Sequence, residues 1–204
     1  MVYCSFSMKS MYVVLGVGII AIVGGMLFYN ETTPANLEEQ PMSETKLALW
    51  SPVFEHNGTI PARYTCDGER TVNPPLKISN IPEGTKSLAL VMDDPDIPEE
   101  IKKDRGIEEF DHWAVYSIPP DTTEIGEGAI VGALGMNGRG EEGYTGPCPP
   151  PEFEPTEHRY IFKLFALKGS LQFIKAPSKA ELLAAMQGMI LDEATLIGTY
   201  DRSQ

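Results

Sequence analysis

The chain is short of basic residues, of histidine and of cysteine, and it has no internal repeat. Sixteen Lys and Arg stand against 29 Asp and Glu, a net charge of −13. That balance argues against a surface built to neutralise duplex phosphates, so nucleic acid is set aside as a partner. The missing repeat excludes a solenoid or a propeller. The glycines Gly132, Gly135, Gly138, Gly140 and Gly143 match no phosphate-binding fingerprint, because no helix pattern follows them. With only three histidines and three cysteines, chemistry resting on either type has few places to occur. What is present is 42% hydrophobic residues in 204, enough for one core of good size and little more.

Residues Tyr12 to Tyr29 form an uncharged run of 18, with Lys9 before it and Glu31 after it. At ~1.5 Å per residue the run reaches across a bilayer core. It ends in Met26, Leu27, Phe28 and Tyr29, a poor cleavage site, so it reads as a retained anchor with the domain extracytoplasmic. Secretion after signal cleavage is the alternative. Residues 30–45 are polar and acidic with two prolines, a flexible tether. The expected organisation is a cytoplasmic tip at 1–11, a span at 12–29, a linker at 30–45 and one domain at 46–204. Cys4 falls in the tip, and Cys66 and Cys148 fall in the domain, either as a disulfide or as two small buried side chains.

Within the domain, short apolar runs lie between Pro and Gly clusters. The pattern predicts strands at Leu47–Phe54, Leu76–Ile81, Ser87–Met92, His112–Ile118 and Tyr160–Leu167, and a last one at Ala194–Tyr200. The runs Trp113–Tyr116 and Tyr160–Phe165 are apolar throughout, as central strands covered on both faces would be. Ser178-Lys179-Ala180-Glu181 is a capping box, followed at helical spacing by Leu182, Leu183, Met186 and Ile190. The class is mostly β with a few helices near the carboxyl end.

Three places could carry chemistry. Asp93, Asp94 and Asp96, with Pro95 and Pro98 between and after them, form a stiff acidic loop in which like charges would raise one another's pKa. His112 and His158 each open an apolar strand, a placement suited to the mouth of a shared cavity. Gly143–Pro150 combines close-approach glycines with prolines that lock the loop around Cys148.

Asp94-Pro95-Asp96-x-Pro98, His112-Trp113, Gly143-Tyr144-x-Gly146-Pro147-Cys148-Pro149-Pro150 and His158-Arg159-Tyr160, in that order, resemble the phosphatidylethanolamine-binding protein family. The likeness is nearest its Raf kinase inhibitor-like bacterial and archaeal branch. It extends over Tyr64–Gly68, Gly84–Leu90 and Gly198–Arg202, essentially the whole domain. The resemblance implies a large antiparallel sheet packed against a smaller sheet, with helices on the other face. It also implies a pocket for phosphate or a phosphorylated head group made by Asp94, Asp96, His112, Gly146, Pro147, Pro149, His158 and Tyr160. There Asp94 or Asp96 would raise the imidazole pKa values, and the Gly146 region would add amide donors.

The implied role is a non-catalytic binding or regulatory module, with no cofactor and no obligatory metal. Inhibition of a kinase or a protease through a surface loop is part of what the resemblance implies. The alternatives on the same residues are a Cys148/histidine hydrolase and a metal site of two histidines and a carboxylate. Against the hydrolase, Pro149 after the would-be nucleophile has no N–H for an oxyanion. The chain departs from the family's pattern at Lys77-Ile78, at Gly188-Met189-Ile190-Leu191 and in the acidic stretch 151–157.

Overall fold

A computed structural model describes residues 45–202 of the chain. In chain order the elements are β1 (Ala48–Trp50), β2 (Gly58–Thr59), β3 (Leu76–Ser79), β4 (Ser87–Asp94), α1 (Glu99–Arg105), β5 (Phe110–Ile118), β6 (Glu124–Ile125), β7 (Ala133–Leu134), β8 (Glu157–Leu167), α2 (Lys179–Met186) and β9 (Ile190–Asp201). They form a six-stranded sheet in the order β2-β9-β8-β4-β5-β7 and a three-stranded sheet in the order β1-β3-β6. Every pairing is antiparallel except β2 with β9, which is parallel.

The apolar strands lie centrally because both faces of the large sheet are covered. Every residue of β4 is buried, and alternate residues serve different cores. Leu88, Leu90 and Met92 pack with Leu76, Ile78 and Ile125 of the small sheet. Ala89 and Val91 face the other way, toward Leu182 and Met186 of α2. β8 divides likewise, with His158, Tyr160, Phe162 and Leu164 of one parity and Phe165 and Leu167 of the other. Tyr160, Phe162 and Leu164 join the first core, and Phe165 and Leu167 the second.

The capping box is formed, with the Glu181 amide donating to Ser178 Oγ at 3.2 Å and the Ser178 amide donating to Glu181 Oε2 at 2.8 Å. α2 is shorter than its periodicity suggests. Gly188 takes a left-handed φ of 71°, which ends the helix, and Ile190 becomes the first residue of β9. A second helix, α1, was not anticipated. Pro98 precedes its first turn and left-handed Gly106 follows its last, but it buries no side chain and so has no apolar stripe to announce it. The first strand stops at Trp50, before Pro52, where a longer run was expected.

The reading of a membrane-anchored chain is corrected here. Among the described residues no helix is long and apolar enough to cross a membrane. α1 and α2 have 7 and 8 residues, where a span needs ~20. The run Tyr12 to Tyr29, Cys4 and residues 30–44 of the tether lie outside the described residues.

Candidate functional site

The antiparallel order puts the end of β4 beside the beginnings of β5 and β8, so Asp94, His112 and His158 meet at one edge of the sheet. His158 has zero exposure, and its Nδ1–H donates to Asp94 Oδ2 at 2.7 Å. Asp94 Oδ1 accepts from the Asp96 amide at 2.9 Å, which holds the carboxylate in place. His112 is re-aimed by a register shift. Met92 pairs with Trp113 and Asp93 with Asp111, so the bulge leaves His112 without a residue opposite. Its Nδ1–H donates to the Thr145 carbonyl at 2.6 Å, and its Nε2 stands 4.0 Å from Asp94 Oδ2. Tyr160 lies edge-on to the His112 ring at 5.1 Å and stacks with His158 at 6.5 Å.

The three neighbouring aspartates do not confront one another, because the chain sends each to a different cation or donor. Asp94 meets His158. Asp96 accepts from Arg159 at Nε, at one terminal nitrogen and at the backbone amide, contacts that hold its pKa below the usual carboxylate range against the opposing effect of burial. Asp93 points to the opposite face, where the Lys179 ammonium lies 2.7 Å from it, 2.5 Å from Glu109 and 2.6 Å from Asp111. Burial alone would lower the Lys179 pKa, but the three carboxylates together raise it. Burial acts on Asp93 in the opposite sense, raising its carboxyl. With the ammonium in direct contact with three acidic groups, the charged lysine prevails.

The His112 imidazole departs from expectation. Burial lowers the pKa of His112 and outweighs the opposing influence of Thr145, Asp94 and Asp111. His112 is therefore a neutral ring at neutral pH, with Nδ1–H committed to Thr145 and an Nε2 lone pair left to accept. His158 has its Nδ1 committed to Asp94 and its Nε2 buried without a partner. Tyr160 Oη also lacks a hydrogen bond of normal geometry, although the Cys148 backbone acts on it. Burial raises the Tyr160 pKa, so the hydroxyl keeps its proton.

The loop from Tyr144 to Pro150 forms one wall. Gly146 is required there, since a Cβ would lie 2.4 Å from the Tyr64 carbonyl. Its amide donates to the Arg70 carbonyl at 2.7 Å and the Thr145 amide to the His112 carbonyl at 2.9 Å, so neither is free for an anion. Cys148 has the sole N–H between Pro147 and Pro151. Its sulfur is bonded to Cys66, which removes the nucleophile from the hydrolase alternative. As for the metal alternative, among the described residues the ligand atoms that converge closely belong to Asp93, Glu109 and Asp111, and Lys179 already stands among those.

The edge opens into a cavity of about 170 Å³. That is over ten times the ~10–15 Å³ one ordered water needs, so the space suits a ligand of several atoms. Asp94, His112, Gly146 and His158 line it. Asp96, Pro147, Pro149 and Tyr160 are not among the residues that line it. Sequence reasoning missed Arg70, Arg105 and Arg139, and the apolar wall of Ile97, Ile101 and Phe110. The arginines come from three separate loops and helix ends with no shared pattern, so only the topology brings them together.

Comparison with known proteins finds relatives of this chain. The family profile described as phosphatidylethanolamine-binding protein matches residues 50–201. A UPF0098 protein of Methanothermobacter thermautotrophicus is 43% identical over 156 residues, covering 73% of this chain and 95% of its own. The crystal structure of a phosphatidylethanolamine-binding protein homolog from Chlamydia trachomatis superposes with a TM-score of 0.70 at 38% identity, covering 77% of this chain and 98% of that one. YbcL of Escherichia coli, at 24% identity and a TM-score of 0.66 over 77% of this chain and 99% of its own, shares the fold.

Proposed function

The chain belongs to the phosphatidylethanolamine-binding protein family and is a binding module, and from that premise we propose that its pocket captures phosphate or a phosphorylated head group without reacting on it. The observation that carries the reading is the buried, unpartnered Nε2 of His158, lining a cavity that Arg70 also lines. A buried polar atom without a partner is costly, and a ligand oxygen would satisfy it.

The two imidazoles then divide the work. His158, oriented at Nδ1 by Asp94, offers its buried Nε2 to a ligand oxygen. His112, neutral, accepts through Nε2 from an acidic P–OH. Arg70 supplies fixed positive charge beside them, and its own Nε is buried without a partner. A monohydrogen phosphate, with one O–H and several anionic oxygens, matches this mixture of donors and an acceptor. No residue of the pocket speaks for inhibition of a kinase or a protease, and the proposal ends at ligand capture.

Calorimetric titration of the full-length chain with inorganic phosphate, with and without a chelator, tests it. Binding should be insensitive to the chelator and at least about tenfold weaker in His158→Ala, a loss of one charge-assisted hydrogen bond. Unchanged affinity in a folded His158→Ala chain would sink the reading, as would binding that requires added metal.

A further inference from the structure

A second hollow, of about 280 Å³, adjoins the first and shares Arg105, Phe110 and Arg139 with it. Its floor is fixed. A Cβ on Gly138 would strike the Phe110 ring at 2.8 Å, and the Gly138 amide donates to the Asp111 carbonyl at 2.7 Å. Arg105 and Arg139 complete its lining.

The arginine pairing is informative in a chain of net charge −13. Of the six arginines, Arg63, Arg139, Arg159 and Arg202 each contact a carboxylate. Among the described residues the two without an acidic partner are Arg70 and Arg105, and both line the first cavity. Arg139 is held only by Glu141 at 3.4 Å, with both side chains largely exposed, a pair that contributes little and exchanges readily for a ligand. In so acidic a molecule, with carboxylates available to most of its arginines, unpaired positive charge gathered at one opening is a demand for an anion from outside.

We propose that the site is bipartite, the buried pocket taking a phosphate group and the adjoining hollow between Arg105 and Arg139 taking a second anionic group of the same small molecule. This rests on the phosphate reading of the first pocket. The ligand class is a short phosphomonoester bearing a carboxylate or a second phosphate, its carbon linker lying along Phe110. A zwitterionic head group, with an ammonium in the second position, is disfavoured there by both guanidinium groups.

A matched pair of ligands separates this from the simpler reading. 3-Phosphoglycerate and glycerol 3-phosphate differ in the carboxylate that stands where the other has a hydroxymethyl group. The full-length chain should bind the carboxylate form about tenfold more tightly at low salt, as one added charge-assisted contact would give. Raising ionic strength should shrink that ratio, since the second hollow is open to solvent. In the double variant Arg105→Ala/Arg139→Ala the ratio should fall close to one, and because a ratio is read, any uniform weakening cancels. Equal binding of the two ligands by the unaltered chain overturns the second position and leaves the phosphate pocket standing. A preference that survives in the double variant overturns its assignment to these arginines. Failure of both ligands and of inorganic phosphate to bind overturns the pocket reading itself.

Discussion

His112 is a base kept neutral by its surroundings, and that has a measurable consequence for stability. Burial holds its pKa below the ordinary value, while in the unfolded chain it would protonate near pH ~6.5. The unfolded state therefore binds more protons than the folded state in that window. Its contribution is fully present above the unfolded value and is lost as pH falls from about 6.5 toward the folded pKa. In His112→Asn, whose amide can still donate to Thr145, urea unfolding at a series of pH values should give a flatter curve from pH ~7 downward. A curve parallel to the unaltered chain would show that His112 is not the buried titrating group. The positions of His112 and His158 were legible because each opens an apolar run. The direction of the His112 shift was not, since it depends on a bulge and on loop Tyr144–Pro150 closing over the ring.

At the scale of elements, α2 is joined to the sheet by more than its apolar face. Lys179, the first residue of the helix, reaches into a cage of Asp93 from β4 and Asp111 from β5, with Glu109 just before that strand. In sequence Lys179 looks like the solvated second residue of a capping box, and Asp93 like part of an exposed acidic turn. Strand alternation sends Asp93 and Asp94 to opposite faces, and only the packing of α2 on one of them shows why a lysine is buried there. α1 was illegible for the complementary reason that it buries nothing. Lys179→Met would leave three carboxylates facing one another, with only the half-exposed Lys163 near them, 3.9 Å from Asp93. The expected cost is roughly 3–5 kcal/mol, against about 1 kcal/mol for removing the cap in Ser178→Ala. Denaturant midpoints of the two variants at neutral pH provide the comparison. A Lys179→Met chain no less stable than Ser178→Ala would mean that the cage carries no net stabilisation.

At the scale of the whole molecule, the large sheet was legible because apolar runs between turn residues name central strands directly. The small sheet and the loops that frame the pocket were less so, being short and defined by distant partners. The disulfide between Cys66 and Cys148 shows how such parts are tied, closing 82 residues of sequence between the turn after Tyr64 and the pocket wall. It is not the wall's sole attachment. The Cys66 amide donates to the Pro147 carbonyl at 2.9 Å, Tyr144 Oη to the Tyr64 carbonyl at 2.8 Å and the Gly146 amide to the Arg70 carbonyl at 2.7 Å. These bonds hold the local geometry in the folded state whether or not the sulfurs are joined. The cross-link therefore acts chiefly on the unfolded ensemble, where closing a loop of this length corresponds to roughly 2–5 kcal/mol. Reduction of the full-length chain with a dithiol should lower its unfolding free energy by an amount of that order, read from urea titrations with and without reductant. Phosphate affinity at low denaturant should change by less than about threefold, because under ~0.7 kcal/mol of pocket energy is then at stake. A collapse of affinity in a reduced chain that is still folded would mean instead that the disulfide, and not the hydrogen bonds beside it, shapes the pocket.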